Sequence, residues 1–122
     1  MPVDEQGHAR ILIVEDAPLI ALNLEQLLVD AGFKIAAVAG KLEKALALIE
    51  SGACDAAIVD ANLDGVSAGP IAAALSARGL PFIVLSGYSS EQLQGAFPGA
   101  LFLQKPCRPA RLVEALNAVL KR

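Results

Sequence analysis

Five polar side chains in this sequence each close a short apolar run, and their types suit chemistry on phosphorus. Glu15 and Asp16 end "ILIVED", Asp60 ends "AAIVD", Ser86 ends "FIVLS" and Lys105 follows "ALFLQ". If the runs are neighbouring strands of one sheet, the five residues meet on one rim. Three carboxylates held there would repel one another by roughly 4 kcal/mol per pair at ~4 Å and an effective dielectric of about 20. A cluster of this kind persists when cations compensate it. Lys105 supplies one charge and a bound divalent cation the rest. Carboxylate oxygen is a hard donor, which points to Mg²⁺, an ion that shares its sphere with water and phosphate. Glu15 and Asp16 would then hold the metal and Asp60 would attack phosphorus to give an aspartyl phosphate. Ser86 and Lys105 would contact the phosphoryl oxygens.

The elements that must position these residues follow from hydrophobic periodicity. "ILIVED", "FKIAAVAG", "DAAIVD", "FIVLSG" and "ALFLQ" are short apolar runs of the kind buried on both faces of a parallel sheet. Helical spacing separates them. Ile20, Leu24, Leu27 and Leu28 form one face of "APLIALNLEQLLVDAG", and Leu42, Leu46 and Ile49 one face of "KLEKALALIESG". "IAAALSARG" is the third helix, "YSSEQLQGAF" a poorly periodic fourth, and "RPARLVEALNAVLKR" a fifth with Leu112, Leu116, Val119 and Leu120 on one side. "ANLDGVSAGP" between the third strand and third helix is rich in turn residues. Strict alternation predicts an α/β fold: an open parallel sheet, helices on both faces and right-handed crossovers. Ligands of such sheets sit beyond the carboxyl ends of the strands.

Composition sets the background. The chain has 122 residues, 55% hydrophobic and 19% charged, which suits one domain with its own core. The reading is a tail over 1–9 and one domain over 10–122. The net charge is -3, and no basic block exceeds a pair, which argues against a nucleic-acid grip. Cys54 and Cys107 lack metal-ligand spacing; Cys54 reads as a small core residue and Cys107 as partly exposed. His8 reads as a solvated tail residue. There is neither a signal-peptide core nor an apolar run of about 20 residues, so a soluble, cytoplasmic protein without membrane contact is expected.

Taken together, "ILIVEDAP", "AAIVDANL", "FIVLSGY" and "FLQKP" resemble the receiver domain of two-component response regulators, from Arg10 to about Leu120. The resemblance implies a flavodoxin-like (βα)5 sheet of strand order 2-1-3-4-5. It implies Glu15 and Asp16 as metal-site acids, Asp60 as phosphoacceptor, and Mg²⁺ as cofactor, ligated also by Asp60 and the backbone carbonyl of Asn62. Ser86 becomes the switch hydroxyl, Lys105 the phosphoryl contact and Phe102 the aromatic switch, while Tyr88 and Asn62 are candidate modulators of phosphate loss. Implied partners are a histidine kinase or histidine phosphotransfer protein, a downstream protein target and a possible second copy in a homodimer. Pro18, Leu19 and Leu22 form a patch that could receive a partner's helix bundle. The chain is similar to a subgroup of compact receivers with a variant fourth strand, and it reads as a stand-alone phosphoacceptor with weak self-phosphorylation and self-dephosphorylation rather than a metabolic enzyme.

Some residues depart from the family pattern. Gly65, Gly69 and Pro70 in "NLDGVSAGP" imply an altered loop and a shifted helix start, and Ser86 lacks the β-branch that would restrict its rotation. Four other readings compete. A phosphorylation-independent interaction module on the same fold is the main alternative. An aspartyl phosphatase would want a second acid two residues after Asp60, where Asn62 stands. A flavin module lacks stacking aromatics, and a Ser-His-Asp hydrolase would have only His8, outside the core.

Overall fold

The computed structural model describes residues 8–63, 65–87, 101–105 and 108–120. Strands β1 (Arg10–Val14), β2 (Lys34–Ala39) and β3 (Ala56–Asp60) alternate with helices α1 (Pro18–Asp30) and α2 (Leu42–Glu50). Two short strands, β4 (Asn62–Leu63) and β5 (Val66–Ser67), precede α3 (Gly69–Ala77). Strands β6 (Phe82–Ser86) and β7 (Leu101–Gln104) and helix α4 (Pro109–Leu120) complete the described chain. The main sheet has the order β2-β1-β3-β6-β7 with every pair parallel, which is the expected 2-1-3-4-5 arrangement.

Alternation along the strands divides the interior in two. Leu12, Val14, Ala57, Val59 and Val84 pack with Ala45 and Ile49 of α2 and with Ile71, Ala72 and Leu75 of α3. Their chain neighbours Ile11, Ile13, Ala56, Ile58, Ile83 and Leu85 pack on the other side with Leu28 of α1 and with Leu112, Leu116, Val119 and Leu120 of α4. Each central strand therefore carries apolar side chains in both directions, which is why it reads as an unbroken apolar run. All five residues of β3 are buried. Cys54 is buried too, as its position before β3 suggested.

Three expectations are refined. In α1 the buried positions are Ala21 and Leu28, whereas Ile20 is 43% exposed and does not join the core face. The core side of this helix has room for alanine where the periodicity put isoleucine. Helix α3 starts at Gly69 with Pro70 in its first turn, two residues ahead of "IAAALSARG". The turn-rich segment before it contains an antiparallel hairpin, with Asn62 opposite Ser67 and Leu63 opposite Val66. The proposed fourth helix, Tyr88 and Cys107 lie outside the described residues. Among the described residues no helix is long and apolar enough to cross a membrane.

Candidate functional site

Strand β1 delivers the first acid. Beyond Val14 the chain stays tied to β2, because the N–H of Glu15 donates to the Ala39 carbonyl at 3.0 Å. That holds Glu15 against the sheet, and only 3% of it is exposed. Its Oε2 accepts a hydrogen bond from the Ala17 N–H at 3.2 Å, at the entry to α1. Its Oε1 is buried and has no hydrogen-bond partner among the described residues. Asp16, one residue further, is half-buried.

The other strand ends converge on this point. Asp60 is the last residue of β3, with 8% exposed, and Ser86 the last of β6, with 3% exposed. The Lys105 N–H donates to the Ser86 carbonyl at 2.7 Å, which fixes the start of the loop after β7 beside the end of β6. From there the Lys105 Nζ stands 3.4 Å from Asp60 Oδ1 and 3.6 Å from Glu15 Oε1. One carboxylate oxygen from each of Glu15, Asp16 and Asp60 lies within 4.8 Å of the others. The four charged residues singled out in the sequence are thus one cluster, with Ser86 at the end of the adjacent strand.

Among the described residues, three carboxyl groups face the one Lys105 ammonium. Burial is the main cause that pushes the Glu15 carboxyl up to about 7 from an ordinary 4.5. The Ala17 N–H opposes it, the neighbouring Asp60 carboxylate adds to it, and Lys105 pulls it back. A buried carboxylate oxygen with no donor is costly unless something cationic approaches it. Oxygen-only donors within one small space are the set that a hard divalent cation selects. The residues present therefore fit such an ion.

The remaining candidates are placed as follows. Asn62 is exposed, its N–H donates to Asp60 Oδ1 at 3.3 Å, and its own Oδ1 accepts from the Gly65 N–H at 2.7 Å. Phe102 lies on β7 opposite Val84, half-buried against the cluster that α2 and α3 cover. Sequence reading did not find the β4–β5 hairpin. The signal for it is the Asp-Gly dipeptide at 64–65 between Leu63 and Val66, a hairpin pattern with glycine at a positive φ, here +86° at Gly65.

Comparison with known proteins follows the same line. The Transcriptional regulatory protein PdtaR of Mycobacterium tuberculosis is 32% identical over 119 residues, covering 93% of this chain and 57% of that protein. The Phyllosphere-induced regulator PhyR of Methylorubrum extorquens is 32% identical over 129 residues, covering 97% of this chain and 48% of that protein. The chain thus spans about half the length of these curated relatives. Among solved structures, SdrG from Sphingomonas melonis Fr1 is 39% identical with a TM-score of 0.79, covering 93% of this chain and 97% of that one. The family described as the response regulator receiver domain matches residues 11–117, and with the acid cluster at the strand ends this shows that the chain belongs to the receiver domains of response regulators.

Proposed function

We propose that this receiver accepts a phosphoryl group on Asp60 from a phosphohistidine of a histidine kinase or phosphotransfer protein, with Mg²⁺ held by Glu15, Asp16, Asp60 and the Asn62 carbonyl. The observation that carries the reading is the Asp60 carboxylate at a strand end, 3.4 Å from the Lys105 ammonium and grouped with Glu15 and Asp16. Bound there, Mg²⁺ would neutralise charge on the transferring phosphoryl oxygens.

The chain's own residues carry the transfer. An oxygen of Asp60 attacks phosphorus, the phosphorus–nitrogen bond of the donor breaks with its electron pair going to nitrogen, and the imidazole, already protonated on its other ring nitrogen, leaves neutral. The product is a mixed carboxylic–phosphoric anhydride on Asp60. Lys105 turns from the carboxylate to a phosphoryl oxygen, and the Ser86 hydroxyl donates to another. About -1.5 to -2 units of charge are added where the cluster is already acidic. The resulting pull on Ser86 and Lys105 biases the β6 and β7 ends, and Phe102 on β7 would report it. The exposed apolar residues of α1, Leu19 at 71% and Leu22 at 59%, form the face that the phosphodonor's helices would cover. A downstream protein reads the phosphorylated state, in the cytoplasm.

Intact mass after incubation with acetyl phosphate tests this. A single phosphoryl adduct that requires Mg²⁺, is cleaved by hydroxylamine and is missing from Asp60→Asn is the expected result. No adduct and no beryllofluoride binding would reassign the chain to phosphorylation-independent interaction on the same fold.

A further inference from the structure

The β4–β5 hairpin stands directly after Asp60, and it is tied down from three sides. Leu63 is 3% exposed and packs among Val59, Ala68 and Ile71. The Ala68 N–H donates to the Ala61 carbonyl at 3.1 Å, closing the base of the hairpin, and the Ser67 hydroxyl accepts from the Gly69 N–H at 3.1 Å where α3 begins. A fourth tie, within the hairpin itself, is the Asn62 side chain, whose Oδ1 accepts from the Gly65 N–H at 2.7 Å.

The orientation of Asn62 follows from its pairing. Asn62 lies opposite Ser67, yet its N–H goes to Asp60 Oδ1 and not across the hairpin. In an antiparallel ladder a residue either exchanges both its N–H and C=O with its partner or turns both away. The Asn62 carbonyl is therefore turned to the same side as its N–H, toward Asp60. Its side chain, engaged with Gly65, is committed to the turn.

We infer that Asn62 is a positioning residue, its side chain latching the β4–β5 hairpin on Gly65 so that its backbone N–H and carbonyl stay aimed at the Asp60 site. The inference rests on the Mg²⁺-binding reading above and deepens it. It also separates Asn62 from a modulator acting through its side chain on the phosphoryl group. Gly65 offers an independent way to break the latch. Its φ is +86°, which disfavours any residue with a Cβ, and a Cβ there would meet nothing within 4 Å, so substitution acts through the backbone alone.

Titration of MgCl₂ into the intact chain by calorimetry, with melting temperatures in chelator, decides the matter. Asn62→Ala and Gly65→Ala are each expected to raise the Kd for Mg²⁺ by about 3- to 10-fold, the effect of one hydrogen bond. Asn62→Asp, which keeps an acceptor oxygen for Gly65, binds Mg²⁺ at least as tightly as wild type. Lower melting temperatures in the Ala variants with unchanged Kd would make the hairpin merely structural and overturn the latch. A changed phosphoryl lifetime in Asn62→Ala at unchanged Kd would also overturn it. If wild type binds no Mg²⁺, the metal reading falls and takes the latch with it, an outcome distinct from equal binding by all variants.

Discussion

Asp55 and Asp60 bracket the same central strand, and the fold treats them in opposite ways. Asp55, just before β3, accepts from the Arg10 backbone N–H at 2.8 Å, from Nε at 3.2 Å and from Nη2 at 2.9 Å. Its own N–H donates back to the Arg10 carbonyl at 2.8 Å. Both oxygens are satisfied by one guanidinium and one amide, a closed arrangement that locks β1 to β3. Asp60, at the far end, lies 3.4 Å from the Lys105 ammonium, which also faces Glu15 at 3.6 Å, and the buried Glu15 Oε1 lacks a hydrogen bond among the described residues. A satisfied acid fixes structure, whereas a group of acids that outnumber the described cations suits the divalent ion proposed above.

The contrast breaks most visibly at Asp55. Replacing it with alanine takes the buried acid away from the Arg10 guanidinium, and the expected cost is about 3 kcal/mol, toward the low end for buried pairs because Arg10 is partly exposed. Urea unfolding measures it, and a cost near zero would mean the pair is ornamental. Mg²⁺ binding should survive in that variant, since nothing at the opposite rim has changed.

Glu15 gives the next largest effect, and its sign is opposite to that of an ordinary acid. Its carboxyl titrates near 7 in the fold, against 4.5 ordinarily, so the folded chain holds the proton more tightly than the unfolded chain. In chelator, the associated stability is fully present below about pH 4.5 and is lost as pH rises through 7, by at most about 3 kcal/mol. Unfolding in chelator between pH 5 and 8 should show this decline, absent from Glu15→Gln. Lys105→Met should move the decline to higher pH, because the ammonium favours the charged form. Added Mg²⁺ should restore stability at pH 8.

The smallest effect belongs to α1. Leu22→Ser removes a side chain that is 59% exposed, so its stability change should stay within about 0.5 kcal/mol while phosphotransfer from a histidine kinase slows. Equal transfer rates would remove this face from the donor's docking surface.

The sequence was most legible where burial is two-sided. β1, β3 and β6 read as apolar runs because the sheet is covered on both faces, and α4 because four of its five large apolar residues, all but Val113, are buried on one side. The acid cluster was legible because its members stand at the polar ends of such runs, Glu15 and Asp16 after one and Asp60 after the other. The α1 face was less so: the chain is rich in alanine, and Ala21 occupies the buried position while Ile20, Leu19 and Leu22 face outward. The hairpin was hidden for a different reason. Its strands are two residues long, too short for any period, and its latch is a side-chain contact between Asn62 and Gly65 rather than a pattern.

Melting Asp55→Asn and Asp60→Asn side by side, in chelator and in Mg²⁺, tests the division most directly. Asp60→Asn should melt above wild type in chelator, because it relieves repulsion with Glu15 and Asp16, and should lose the rise that Mg²⁺ gives wild type. Asp55→Asn should melt below wild type and keep that rise. If Asp60→Asn instead melts as low as Asp55→Asn, or still responds to Mg²⁺ like wild type, the acid cluster is a structural pair like its counterpart and the account is wrong.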